Sequence, residues 1–180
     1  MVDFHTERFT IGTMKGINMT SEVEELVKLV RSVSAEAVLL RDKYVQSPSN
    51  ISYCCIFTQN DEEQARLDRV CSGLGNLANA TPTGNVYVVP SIKTDAGELR
   101  VIKVRAPDST RPERGDADFA LADYVEHQAD ILELPNSKLI VRDEFEMIEL
   151  IDSNFDVRVY FSHPPVELHG GIREALAKLP

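Results

Sequence analysis

The chain has no tryptophan, three cysteines, four histidines and no apolar run approaching the roughly 20 residues of a membrane-spanning helix. Three cysteines with no second pair at ligand spacing exclude a disulfide scaffold and a cysteine-based zinc site. Cys54 and Cys55 are adjacent on an expected strand and Cys71 falls on an apolar helical stripe, so all three are expected to be reduced, in a cytoplasmic protein. His5, His127, His163 and His169 show none of the paired spacings of metal-binding histidines. There is no G-x-S-x-G nucleophile elbow, and Gly73-Leu74-Gly75 follows a helix where a dinucleotide loop must follow a strand. Positive charge is also short: 19 Lys and Arg against 29 Asp and Glu leave a net charge of -10. That balance argues against nucleic-acid and anionic membrane partners. Residues 1–10 lack the basic start and apolar middle of a signal peptide.

What is present is ordinary globular material. Of 180 residues, 43% are hydrophobic and 27% charged, enough at this length to build a core without a metal or disulfide staple. Ser21-Glu22-Val23-Glu24 has the form of a capping box, and Val23, Leu26, Val27 and Val30 recur at helical spacing. A short strand is expected at residues 8–14, and the β-leaning Val38, Leu39, Tyr44 and Val45 predict another over 37–45. Ser47-Pro48-Ser49-Asn50 breaks the chain, so residues 1–50 read as an N-terminal α/β extension.

From residue 51 the signals sharpen. Residues 51–58 form a β-rich run followed by a second capping box, Asn60-Asp61-Glu62-Glu63, and a helical stripe of Leu67, Val70, Cys71 and Leu74 that Gly73 and Gly75 stop. Strands over 86–92 and 99–105 flank the turn Thr94-Asp95-Ala96-Gly97, with another possible before them. Residues 106–115 hold two prolines and no periodicity and read as a linker. A short strand over 118–122, a cap at Asp123, a helix with Val125, Ala129 and Leu132 inward, and apolar runs at 138–141, 145–151 and 157–162 follow. His163-Pro164-Pro165 stops the last run, leaving residues 164–180 as a tail.

Residues 51–105 and 116–163 therefore repeat one order: strand, helix, about three strands. The caps are 63 residues apart, 123 minus 60, and Leu99-Arg100-Val101 precedes Val157-Arg158-Val159 by 58, 157 minus 99. This predicts an α+β fold of two βαβββ-like modules whose curved mixed sheets surround a cleft. The order, with residues 51–58 leading into 60–63 and residues 146–154 leading into the last strand, resembles the vicinal oxygen chelate superfamily of glyoxalases, extradiol dioxygenases and bleomycin-resistance proteins. The resemblance implies a cleft and, in the metal-dependent members, His and Glu ligands from the first and last strands of each module. Carried over, those positions fall near Tyr53, at 116–118, at 99–101 and at 157–160, where neither His nor Glu stands. The expectation is a cleft without metal or cofactor that binds a small, anionic organic ligand.

Arg100 and Arg158 occupy matching places in the closing strands, and alternation sets Arg158 with Tyr160 and Ser162. Two guanidinium groups lining a cleft could grip a carboxylate or phosphate, with Tyr53, Asp118 and Tyr160 as further ligand contacts; burial preference instead favours both arginines on a solvated face. Alanine at either is then expected to weaken binding and leave the melting temperature nearly unchanged. Glu146 and Glu149 fall on opposite faces of a strand, and whichever points inward is a candidate proton carrier for isomerase or lyase chemistry. Arg105, Arg111 and Arg114 could make the linker an anion-binding flap, against neutralisation by Asp108, Glu113 and Asp116. Two alternatives stay open. One is a non-catalytic homodimer or partner-docking protein that uses residues 1–50. The other is a divalent-metal lyase or dioxygenase that uses Asp116, Asp118, Glu149 or His163.

Overall fold

The computed structural model describes residues 20–179; the strand expected at 8–14 lies outside them. Thr20 caps the first helix, α1 (Ser21–Tyr44), its hydroxyl accepting a hydrogen bond from the Val23 amide at 3.3 Å. The cap thus stands one residue before the Ser21 box, and the helix covers 37–44 of the stretch 37–45 for which the sequence predicts a strand. Val33, Ala37 and Leu40 prolong the stripe begun by Val23, Leu26, Val27 and Val30. Burying that continuous stripe outweighs the β preference of a few residues on its flank.

Strand β1 (Ser49–Phe57) leads into α2 (Asp61–Leu74). The box at 60–63 holds as read: Asn60 Oδ1 accepts from the Glu63 amide at 2.8 Å, and Glu63 Oε2 accepts from the Gln59 amide at 2.7 Å. Gly75 ends the helix where a Cβ would stand 2.0 Å from the Val88 carbonyl oxygen. The antiparallel strands β2 (Asn76–Thr81), β3 (Gly84–Thr94) and β4 (Gly97–Arg105) complete the first module. The second comprises β5 (Gly115–Leu121), α3 (Tyr124–Leu132), β6 (Ser137–Val141), β7 (Glu146–Ile151) and β8 (Val157–His163). In α3 the inward residues are Tyr124 and Ile131, while Val125 is 70% exposed, a correction to the stripe read from sequence. A 3-10 turn (Val166–Leu168) and α4 (Gly170–Leu176) follow.

The eight strands of the described residues join one open mixed sheet in the order β2-β3-β4-β1-β5-β8-β7-β6. The two βαβββ modules are thus present. Their opening strands, β1 and β5, run antiparallel at the centre, and each is flanked by its own closing strand in parallel. Cys54 pairs with Ala117, Cys55 with Asp116 and Tyr53 with Asp118. Matching Cys54 to Ala117 sets an offset of 63, 117 minus 54, and exchanges the other two pairs with each other, so a pseudo-two-fold axis passes through the Cys54–Ala117 pair.

The closing strands match at an offset of 57, 159 minus 102, because Cys54 pairs with Ile102 and Ala117 with Val159. The string match LRV to VRV gave 58. One residue of slip moves a side chain to the other face of a strand, so the counterpart of Arg158 is Val101 and not Arg100.

Helix α1 lies over the strands at the centre of the sheet and, with α2, covers the face carrying Cys54, Ile56, Ile102, Val104, Ala117, Phe119, Val159 and Phe161. The apolar stripe of residues 21–44 is thereby used up within its own chain. No helix among the described residues is long and apolar enough to cross a membrane.

Candidate functional site

Strand alternation sends the intervening residues to the opposite, concave face. On its β2–β3 side, Val166, Ile172 and Ala175 of the C-terminal segment pack on Val86, Val88 and Val101. The rest of that face opens into a cavity of about 570 Å³. Tyr53 and Cys55 of β1, Lys103 and Arg105 of β4, Asp116 and Asp118 of β5, and Tyr160 and Ser162 of β8 line it, joined by Arg111 from the connection between the modules.

The ladder register arranges these groups in rows. One row reads Lys103, Cys55, Asp116, Arg158 across four strands; the next reads Val101, Tyr53, Asp118, Tyr160. The halves are symmetric in backbone and differ in charge at the central positions. The first module's closing strand supplies cations, and the second module's opening strand supplies carboxyls.

Asp116 is 7% exposed and Asp118 3%. Burial pushes both up to about 7, with the charge of Asp118 adding to the shift at Asp116. Asp118 is anchored, accepting from the Ser162 amide at 3.1 Å and from the Ser162 hydroxyl. Asp116 Oδ1 is buried without a hydrogen-bond partner.

On the cationic side, Lys103 Nζ donates to Thr83 Oγ1 at 2.8 Å, and burial lowers its pKa. Arg105 Nη2 reaches Asp108 at 3.0 Å, while its Nε is buried without a partner. The Arg105 and Arg111 guanidinium groups each lie 5.6 Å from the centre of the Phe57 ring, which holds both at the cavity wall. Cys55 beside them is an inert thiol, its pKa driven up by burial and by the charge of Asp116.

Of the residues singled out from sequence, Tyr53, Asp118 and Tyr160 line the cavity. Arg158 and Glu149 stand behind them: Tyr160 donates to Glu149 Oε2 at 2.5 Å, and Arg158 bridges Glu149 at 3.1 Å and Glu113 at 2.8 Å. Arg158 is therefore an internal ion-pair partner rather than one half of an anion clamp. Glu146 lies on the helical face of β7, where Gln128 of α3 donates to it at 2.6 Å. Arg100 and Glu146 are not among the lining residues.

His163 stacks on Tyr124 with ring centres 4.9 Å apart. His169 lines the cavity and stacks on Phe145 at 4.6 Å. Among the described residues no three His, Cys, Asp or Glu side chains converge to hold a metal ion.

Of the other lining groups, the sequence singled out Arg105 and Arg111 as parts of an anion-binding flap and Asp116 as a metal ligand, and did not single out Lys103; Arg114, the third arginine of that flap, pairs instead with Glu63. A signal for Asp116 existed, since alternation from Asp118 puts it on the same face. Arg111 was visible as one of three arginines of a candidate anion-binding flap, but its place beside Phe57 was not.

No family model matches the chain, and no curated protein matches it. Among solved structures it is similar to one described as "Structural Genomics, Protein EC4020", with a TM-score of 0.64 and 11% identity over 96% of this chain and 100% of that one. The likeness is one of fold.

Proposed function

We propose that the concave cavity binds a small organic anion, gripped by Lys103, Arg105 and Arg111. The observation that carries this reading is a cationic cavity in an acidic protein. Among the described residues, four lining cations, Lys103, Arg105, Arg111 and Arg142, face three lining carboxyls, Asp116, Asp118 and Glu144, two of which titrate near 7, in a chain of net charge -10; Arg105 and Arg111 share Asp108 at 3.0 and 3.9 Å. The partnerless Arg105 Nε supports it, because a buried donor left unpaired is costly unless a ligand fills the gap.

The pairing of two βαβββ modules through their opening strands supports kinship with the vicinal oxygen chelate proteins. The donor set does not fit their divalent metal. At the first module's cavity-facing positions stand Tyr53, Cys55, Lys103 and Arg105. Two of these are cations, and the thiol is held protonated, so Asp116 and Asp118 would face a metal ion nearly alone. The cavity reads instead as a carboxylate or phosphate site that uses guanidinium and ammonium groups.

The test is calorimetric titration with paired probes of matched shape: butanoate against butanol, and glycerol phosphate against glycerol. Saturable binding of the anions alone, weakened about tenfold or more in Arg111→Ala, is expected. Equal affinity for the neutral partners, or no binding of either anion, overturns the reading.

A further inference from the structure

The cavity holds an unengaged carboxyl as well as its cations. Asp116 is 7% exposed, lines the cavity and leaves Oδ1 without a partner, while its neighbour Asp118 is fixed by Ser162. Of the other acidic groups nearby, Glu149 is occupied by Tyr160 and Arg158, and Glu113 Oε1 by Arg158. Asp116 and Lys103 share one cross-strand row with Cys55 between them. Two strand spacings put their backbones about 9.5 Å apart, and the Lys103 ammonium is held by Thr83. Arg105, one ladder step of two residues beyond Lys103, and Arg111 line the same cavity.

We propose that Asp116 is the proton carrier of a metal-independent enolisation of a small 2-oxo acid, with Lys103 facing the carbonyl oxygen and Arg105 and Arg111 holding the carboxylate. This rests on the anion-binding reading above. In the step, the Asp116 carboxylate takes a proton from the carbon next to the carbonyl. The C–H electron pair becomes the new C=C bond, and the carbonyl π pair moves onto oxygen, where the Lys103 ammonium meets the developing charge. Return of the proton to carbon restores the oxo acid, so nothing is oxidised or reduced and no co-reactant is consumed.

The environment suits that role. Burial and the charge of Asp118 set Asp116 near 7, so its base and acid forms are both populated near neutral pH. The charges of Arg111, Lys103 and Arg105 oppose that shift and keep it from rising further.

The experiment uses 2-oxobutanoate in heavy water, with two readouts by proton NMR: line broadening of the bound probe and exchange of its C3 protons for deuterium. The wild-type protein is expected to bind the probe and to speed exchange at least about 100-fold over buffer, with a rate that rises with pH through a midpoint near 7. D116N is expected to bind the probe with exchange at the buffer rate. K103M, which keeps Asp116, is expected to lose at least about tenfold. Binding without accelerated exchange, undiminished exchange in D116N, or a wild-type rate independent of pH between 5 and 9 overturns this inference and leaves anion binding standing. Absence of probe binding overturns this inference, and overturns the anion-binding reading with it only where butanoate and glycerol phosphate also fail to bind.

Discussion

Cys54 on β1 and Ala117 on β5 face each other across the central ladder, and the exchange of the two modules leaves that pair in place. On either side of that pair, Tyr53 and Cys55 have counterparts 63 positions away that have diverged in charge. Tyr53 answers to Asp116, Cys55 to Asp118, and Lys103 of the closing strand to Tyr160. A duplicated backbone thus carries cations on one side of its axis and carboxyls on the other.

The carboxyl pair makes stability depend on pH in an unusual direction. Asp116 and Asp118 titrate near 7 in the folded chain, against an ordinary value of 3.8. Between those values the folded state holds more protons than the unfolded one, so stability falls as pH rises. Their contribution is complete below 3.8 and is lost as pH passes 7. Asp108, held down at about 2 by Thr110 and Arg105, acts in the opposite sense but only below 3.8. The urea midpoint is expected to decline between about pH 4 and pH 8, and D116N to flatten that decline and raise the midpoint at pH 8. A midpoint that climbs over this range contradicts the assignment.

Arg158→Ala removes the cation between Glu113 and Glu149, whose side chains are each 11% exposed. Two buried carboxylates left without their cation, Glu149 keeping only the Tyr160 hydroxyl, cost about 3–5 kcal/mol. Equilibrium unfolding in urea should show that loss, in place of the unchanged melting temperature expected from an arginine that only touches ligand.

At Gly115 a Cβ would stand 2.4 Å from the Cys55 carbonyl oxygen and 3.0 Å from both Val33 methyls of α1. Gly115→Ala is therefore expected to lose about 1–3 kcal/mol by forcing the helix away from the sheet. Thermal unfolding within a degree of wild type would show that the close approach is not needed.

Leu26 is fully buried where α1 meets the sheet. Leu26→Ala should cost about 2–5 kcal/mol, and a chain that begins after α1 should lose its cooperative unfolding transition. If residues 1–50 served only to dock a partner, that truncation would leave the transition intact and change only the mass in solution.

Much of the architecture was legible as pattern. The capping box at 60–63, the stripe of α2, the linker and the two-module repeat depend on neighbours within a few positions, and local chemistry specifies them. The extent of α1 was not legible in this way. Val38, Leu39, Tyr44 and Val45 lean towards strand, and only a sheet beneath Val33, Ala37 and Leu40 makes the helix the better burial. Val125 was misread for the same reason: a short helix offers more than one apolar face, and the sheet chose Tyr124 and Ile131.

By itself, the sequence determined the duplication, the alternation of each strand and the absence of a histidine or cysteine metal motif, because these are properties of spacing along one chain. Tertiary structure decided the site. The register between strands separates 57 from 58 residues, and that one step removes Arg100 from the pair with Arg158. Burial turns Asp116 and Asp118 into groups that titrate near 7. The fold of the connection brings Arg111 beside Phe57. Each of these rests on atoms far apart in the chain, and spacing along the sequence does not encode their separation in space.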